Sequence, residues 1–189
     1  AHYPKSLNKV KGVVAVPQDT VAYYPGCSLH ASAGEFDSST HAVAEKLGLR
    51  LEEPKGWVCC GSTPAHMSDH VLATTLPIKN LALLEKSGHE AVTVPCAACF
   101  SRMKFASHDI KEDTALRQEV ANQIGYDYQG GAEVEHTVDT FVKRVGIEKI
   151  QAAVTNPLKR LKLVCYYGCL LTRPPEITGA ENPEYPMNM

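Results

Sequence analysis

The sequence lacks most of the features that announce a familiar class. No stretch approaches the run of about 18 apolar residues that a membrane-spanning helix needs, and no apolar core follows Ala1-His2-Tyr3-Pro4-Lys5 as it would in a secretory signal. An initiating Met is missing too, as expected of a processed or tagged protein or of a fragment. There is no phosphate-binding Gly-rich loop, no Gly-x-Ser-x-Gly turn for a nucleophile, and no Cys-x-x-Cys-x-x-Cys run of the kind that holds a cubane cluster. Flavin, nucleotide and additional clusters are therefore expected to come from partners. Clustered positive charge is also scarce: the net charge is −2, and the densest basic group is Lys159-Arg160 with Lys162, which reads as a solvated element end. Nucleic acid is not an expected partner.

What is present is a chain of 189 residues with 44% hydrophobic and 21% charged residues, the make-up of a soluble globular protein of one domain or somewhat more. The expected setting is the cytoplasm, with contact to the inner membrane face made only through partners. Seven cysteines stand out. An odd number, two of them adjacent, suits an extracellular disulfide framework poorly and suits metal ligation or redox chemistry in a reducing compartment better.

Residues 1–19, polar with Pro4 and Pro17, read as a leader. Thr20–Tyr24 reads as a strand stopped by Pro25-Gly26, which leaves Cys27 in a turn just past the strand end. A helix is expected over Ser38–Leu47, a short strand at Leu49–Leu51, and a turn at Glu53–Gly56 that delivers Trp57-Val58-Cys59-Cys60-Gly61. Ser68–Lys86 is helical in pattern, with Pro77 expected to interrupt it and open a second helix. Ala91–Val94 is a strand that ends at Pro95 and runs straight into Cys96-Ala97-Ala98-Cys99. Helices are expected over Phe100–Ser107, Glu112–Ile124 and Val138–Val145, and strands over Ala132–His136 and Leu161–Tyr166. Strands alternating with helices predict an α/β fold with a small, mostly parallel sheet and flanking helices. Ligands of such sheets gather at the carboxyl ends of strands, where Cys27 and the Cys96–Cys99 pair are expected.

An internal repeat is visible. Val21-Ala22-Tyr23-Tyr24-Pro25-Gly26-Cys27 aligns with Leu163-Val164-Cys165-Tyr166-Tyr167-Gly168-Cys169, with Gly-Cys coinciding at the end and apolar residues along the strand. The organisation expected is a leader over 1–19, a first cysteine-bearing unit with a helical extension over 20–160, and the truncated beginning of a second unit over 161–189. Fewer residues follow Cys169 than separate Cys27 from Cys59, so the second copy stays incomplete.

Taken alone, Cys96-x-x-Cys99 fits a thioredoxin-like redox pair, half of a zinc site or part of a cluster site. The adjacent pair Cys59-Cys60 discriminates better. Neighbouring cysteines rarely chelate one tetrahedral zinc, whereas they can reach different irons of one cluster, and Gly61 beside them permits close backbone approach. The full arrangement is Cys27, then 31 residues from Ser28 to Val58, then Cys59-Cys60-Gly61, then 34 residues from Ser62 to Pro95, then Cys96-x-x-Cys99. This pattern resembles the CCG cysteine-rich domain family. It is most similar to the B-type subunits of heterodisulfide reductases and to their relatives in bacterial sulfur oxidation and in E-type succinate:quinone and thiol:fumarate reductases. The resemblance covers Thr20 to about Ser107, and Leu163–Thr172 as the opening of a second motif.

The resemblance implies that Cys27, Cys59, Cys60, Cys96 and Cys99 ligate a noncubane [4Fe–4S] cluster, with Cys169 as first ligand of a second, incomplete site. It further implies disulfide–thiol oxidoreduction at that cluster, on a small-molecule or protein-bound disulfide, with electrons from flavin or iron–sulfur partner subunits. One motif alone makes the chain an incomplete catalyst. Zinc, native or substituting, is the alternative metal. It would use four of the five thiols and would go with a non-catalytic electron-transfer or structural module of a larger reductase. A dithiol oxidoreductase working through Cys96 and Cys99 alone ranks last, since it gives Cys27, Cys59 and Cys60 nothing to do.

Other residues receive modest expectations. Cys165 reads as a small buried hydrophobe in its strand, and Cys169 as a free thiol in a truncated chain. His66 and His70 have a spacing that can bind metal on a helix, but no Glu follows His66 as in zinc proteases, and an exposed polar pair is the preferred reading. His30 fits either a substrate-facing residue or a surface turn. Trp57 reads as core packing that shields the metal, and Tyr23 and Tyr24 as ordinary strand residues.

Overall fold

The computed structural model describes residues 9–10, 13–14 and 20–187. Most of the expected leader lies outside these residues; within it, β1 (Lys9–Val10) pairs antiparallel with β2 (Val13–Val14).

Two buried four-residue strands make the centre of the main sheet. β3 (Thr20–Tyr23) and β5 (Ala91–Val94) are buried at every position, as expected of parallel strands covered on both faces. β4 (Arg50–Glu52) lies at one edge with an exposed–intermediate–exposed pattern, and β6 (Glu133–His136) at the other. The order is β4-β3-β5-β6 and every pairing is parallel. Each strand is joined to the next by helices: α1 (Gly26–Leu29) and α2 (Gly34–Lys46), then α3 (Ser62–Ser68) and α4 (His70–Lys86), then α5 (Ala97–Glu112) and α6 (Thr114–Ile124). The first crossover carries the chain outward to β4 and the second returns it past β3 to β5. The winding therefore reverses between β3 and β5, which is where ligands of doubly wound sheets bind. The expected α/β class with a small parallel sheet and flanking helices is the one observed.

The core forms where α4 and α5 close on the sheet. Ile78, Leu81 and Leu84 of α4 meet Val92 and Val94 of β5 and Phe100, Met103 and Ala106 of α5 in one buried cluster. α4 begins at Asp69, whose carboxylate accepts the Leu72 N–H at 2.8 Å, a standard N-cap. It then runs unbroken through Pro77, where the local pattern predicts a helix start. An interior Pro forfeits one helical hydrogen bond, at about 3 kcal/mol. Here the ring is buried together with Ile78, Leu81 and Leu84, so tertiary packing outweighs local preference.

Other boundaries shift for identifiable reasons. α5 already includes Cys99 and continues to Glu112, ending only where Asp113 turns extended and caps α6 through its carboxylate, with Ala115 N–H at 2.8 Å and Leu116 N–H at 3.0 Å. α7 (Thr137–Val145) follows β6 directly, its first turn capped by His136, and α8 (Ile147–Ala153) comes next. The strand expected at Leu161–Tyr166 is not formed. The segment is irregular, with Leu163 72%, Val164 94% and Tyr166 98% exposed. Apolar alternation does not make a strand without a neighbour to accept its hydrogen bonds and cover one face. Cys165 is consequently exposed rather than buried. Beyond it, α9 (Cys169–Thr172) and α10 (Pro175–Thr178) return to pack on α5. Among the described residues no helix is long and apolar enough to cross a membrane.

Leu81 is fully buried in the core cluster. Truncation, Leu81→Ala, is expected to lower unfolding free energy by about 2–5 kcal/mol. Urea denaturation followed by circular dichroism checks this, with the midpoint falling and the slope unchanged.

Candidate functional site

Three strand ends deliver the five motif cysteines to one place. β3 leads through Tyr24-Pro25-Gly26 to Cys27, β4 through the 53–58 loop to Cys59-Cys60, and β5 through Pro95 to Cys96 and Cys99 in the first turn of α5. The Sγ atoms of Cys27 and Cys59 lie 3.8 Å apart, and those of Cys60 and Cys99 lie 3.3 Å apart. Cys99 also interacts with Cys96, and Cys60 with Cys59. The five thiols thus form one connected series, in the order Cys96, Cys99, Cys60, Cys59, Cys27. It is graded in exposure: Cys60 and Cys99 are buried, Cys96 is intermediate, and Cys59 and Cys27 are exposed. It is an extended array rather than a point. Among the described residues no three Cys, His, Asp or Glu groups converge as they would around a single ion.

Two glycines make this approach possible. Gly26 has φ +73°, and a Cβ there would stand 2.8 Å from the Cys99 sulfur. Gly61, at φ +77°, would place a Cβ 2.7 Å from Leu76 Cδ1 and 2.8 Å from Ala65 Cβ. Both need the left-handed conformation and the missing side chain.

The loop from β4 is anchored by side chains that contribute no sulfur. Buried Asn80, on α4, donates from Nδ2 to the Val58 carbonyl at 2.9 Å and accepts the Val58 N–H on Oδ1 at 2.8 Å. The phenol of Tyr24 donates to the same carbonyl at 2.8 Å. Val58 immediately precedes Cys59-Cys60, so this clamp sets the depth at which the pair enters. Burial and the neighbouring Cys99, Cys60, Cys59 and Cys27 push the Tyr24 hydroxyl far above its ordinary value, which keeps it a donor. Trp57 lies edge-on to Tyr24 with centroids 5.1 Å apart and is half-buried.

The electrostatics favour thiolates at particular positions. Cys96 is lowered to about 6, by the Cys99 thiol beside it and by the backbone N–H groups of Cys99 and Ala98 at the start of α5. Cys60 is lowered by the Cys99 thiol and, more weakly, by the Ser62 N–H at the start of α3. Cys99, between these two, is raised, first through its bonds to Cys60 and Cys96 and then by burial. Burial likewise raises Cys59. Helix N-termini stabilise thiolates in this way. The donor set is wholly sulfur, which suits iron–sulfur clusters and zinc among common metal groups.

The remaining candidates do not join the array. Cys165 and Cys169 are exposed on the C-terminal segment. His66 and His70 are exposed on separate helices either side of Asp69, so the polar-pair reading fits. His30 is exposed in the turn after α1 and lies 3.3 Å from Glu53. Tyr24, an ordinary strand residue by sequence, and Asn80, which no motif singles out, prove to be positioning residues. A signal exists for Asn80, since it interrupts an otherwise apolar helix face formed by Ile78, Leu81 and Leu84.

The geometry agrees with what comparison with known proteins finds. Residues 21–104 match the family model of the CCG cysteine-rich domain. The 8-methylmenaquinol:fumarate reductase membrane anchor subunit of Wolinella succinogenes is 30% identical over 172 residues, 89% of this chain and 59% of that protein. The B-type subunit of the ferredoxin/F(420)H(2)-dependent CoB-CoM heterodisulfide reductase of Methanosarcina acetivorans is 27% identical over 171 residues, 88% of this chain and 56% of the relative. A protein of Archaeoglobus profundus named for its likeness to the heterodisulfide reductase B-type subunits is 26% identical over 158 residues, 80% and 52% of the two chains. The chain thus spans somewhat more than half the length of these relatives. It carries a domain of the CCG cysteine-rich family, and its relatives are subunits of reductases. Within that class it is similar to the B-type iron–sulfur subunits of heterodisulfide reductases.

Asn80→Ala leaves the Val58 N–H without its partner and removes one of two donors to the carbonyl. The expected loss is about 1–3 kcal/mol of stability, read from denaturant midpoints, together with faster alkylation of Cys60 in the metal-free chain. Gly26→Ala is expected to expose Cys99 to the same reagent, because the added carbon occupies the space beside its sulfur. Peptide mass mapping after timed iodoacetamide treatment reads both effects.

Proposed function

We propose that this chain holds a noncubane [4Fe–4S] cluster on Cys27, Cys59, Cys60, Cys96 and Cys99 and serves disulfide–thiol oxidoreduction within a multi-subunit reductase. The observation that carries this reading is the single connected series of five thiols at the carboxyl ends of adjacent parallel strands, where the winding reverses. An extended array suits a cluster with several irons better than one tetrahedral ion. The donor set fits the group: two left-handed glycines clear space beside sulfurs, and the first turns of α3 and α5 present backbone N–H groups to Cys60 and Cys96. When bound, such a cluster supplies one-electron steps and iron sites with affinity for sulfur.

The residues of the chain have separable tasks in this reading. Cys60 and Cys99 hold the buried end and shield it from water, with Phe100 and Trp57 packed in the same region. Cys27 and Cys59 form the open end, where a substrate sulfur has access. Asn80 and Tyr24 keep the Cys59-Cys60 pair in register with Cys99. Electrons come from an iron–sulfur or flavin partner subunit, and the chain works in the cytoplasm, reaching the inner membrane face through partners. Residues 161–189 are read as the opening of a second CCG unit that begins with Cys169, so that one chain supplies one of two sites. The relatives named as heterodisulfide reductase and fumarate reductase subunits support the reaction class.

Anaerobically purified chain is expected to contain about four irons and four acid-labile sulfides. Cys60→Ser is expected to lose most of both while keeping the circular dichroism spectrum of the parent. One zinc without sulfide, retained in Cys60→Ser, would replace this proposal with a zinc-stabilised structural module.

A further inference from the structure

The open end of the thiol series carries a group of side chains that cluster ligation leaves unused. His30 lies three residues after Cys27, and its Nε2 is 3.3 Å from Glu53 Oε2. The other oxygen of Glu53 accepts the indole N–H of Trp57. The Trp57 ring in turn lies edge-on to His30, with centroids 5.2 Å apart, and to Tyr24. His30 and Glu53 are only partly covered, at 46% and 37% side-chain exposure, so the imidazole remains open to solvent. One segment of this group arrives with Cys27 and the other with Cys59, the two exposed thiols 3.8 Å apart.

An exposed His–carboxylate contact on its own is an ordinary surface pair. Here the carboxylate is fixed at its second oxygen by an indole that is packed against the anchor of the site. An oriented imidazole with one nitrogen on a carboxylate and the other free to exchange protons with water is the usual form of a proton shuttle. Opening a disulfide creates the need for one, because an aliphatic thiolate is a poor leaving group and departs more readily as the thiol.

We propose that His30, held by Glu53 and Trp57, is the proton donor to the sulfur that leaves at the Cys27–Cys59 edge. The proposal rests on the reading that this edge meets disulfides. In the metal-free chain the step balances without any outside oxidant or reductant. The Cys27 or Cys59 thiolate attacks one sulfur, a new S–S bond forms as the old one breaks, and the departing sulfur keeps the bonding pair and takes the proton of His30. Water then reprotonates the imidazole. Glu53 and Trp57 are positioning residues in this scheme.

The test uses two disulfides that differ in their need for a proton. Glutathione disulfide releases an aliphatic thiol, whereas dithiobis(nitrobenzoate) releases an acidic aromatic thiolate that departs unprotonated. Reduced, metal-free full chain is reacted with each near neutral pH, and adducts at Cys27 and Cys59 are quantified by peptide mass spectrometry. His30→Gln is expected to slow glutathione disulfide by about tenfold or more and to leave the aromatic disulfide within about twofold. Glu53→Gln should fall between, and His41→Gln, on α2, should match the parent with both reagents. Equal slowing of both disulfides by His30→Gln makes His30 merely structural and overturns the proposal, as does no slowing of either. Iron and sulfide content of the parent is measured separately, so loss of the cluster reading does not decide this result.

Discussion

The amide of Asn80 and the phenol of Tyr24 converge on Val58, and through it they hold together parts of the chain that have no other reason to meet. The 53–58 loop leaves the edge strand β4, the shortest and most exposed strand of the main sheet, and must return over its carboxyl end with two adjacent cysteines at a fixed depth. Asn80 satisfies both the N–H and the carbonyl of Val58 from a buried position on α4, and Tyr24 reaches the same carbonyl from the end of β3. Both anchoring side chains are buried, where an unmade hydrogen bond is expensive, so the loop is held by the core itself. Cys59 and Cys60 inherit that position as the next two residues. The meeting of Cys60 with Cys99 at 3.3 Å depends on it.

The other half of the site follows from the sheet. β3 and β5 are neighbours, and their connections leave in opposite directions, so a space opens between Cys27 and the first turn of α5. Gly26 lets the first turn come close enough for the Cys99 sulfur to sit against its backbone. The start of α5 then stabilises a thiolate at Cys96, and the start of α3 does so at Cys60. Two thiols with acidic character flank one that retains its proton. This is an environment prepared for ligation, since metal binding requires thiolates and releases protons as it proceeds. The gradient from buried Cys60 and Cys99 to exposed Cys59 and Cys27 gives the array a protected end and an accessible one.

Much of this is legible in the sequence, for reasons that differ from element to element. β3 and β5 announce themselves because each is a short apolar run closed by Pro, with a cysteine group directly behind. The α/β class follows from alternation, and the ligand-end placement of Cys27, Cys96 and Cys99 from the general behaviour of parallel sheets. Pro77 misleads within α4, because the local cost of a proline is visible in sequence while the burial that outweighs it is not. Leu161–Tyr166 misleads in the opposite sense: the alternation is present, but a strand needs a neighbour, and among the described residues none pairs with it. His30 cannot be resolved from sequence, because its meaning depends on Glu53, which is distant in the chain and brought beside it by the loop.

The sequence by itself determined the chemistry of the site. Cysteine types, the Cys-Cys-Gly step and the two spacings are properties of order along the chain, and they restrict the donors to sulfur before any folding is considered. It also determined the strands, since apolar runs between turn residues have one economical use. Only the tertiary structure decided how the sulfurs are arranged, as a connected series with a buried and an open end, and which non-sulfur residues hold them there. Tyr24, Asn80, Glu53 and Trp57 act through contacts across separate segments. Such contacts depend on distance in space, which no local pattern encodes.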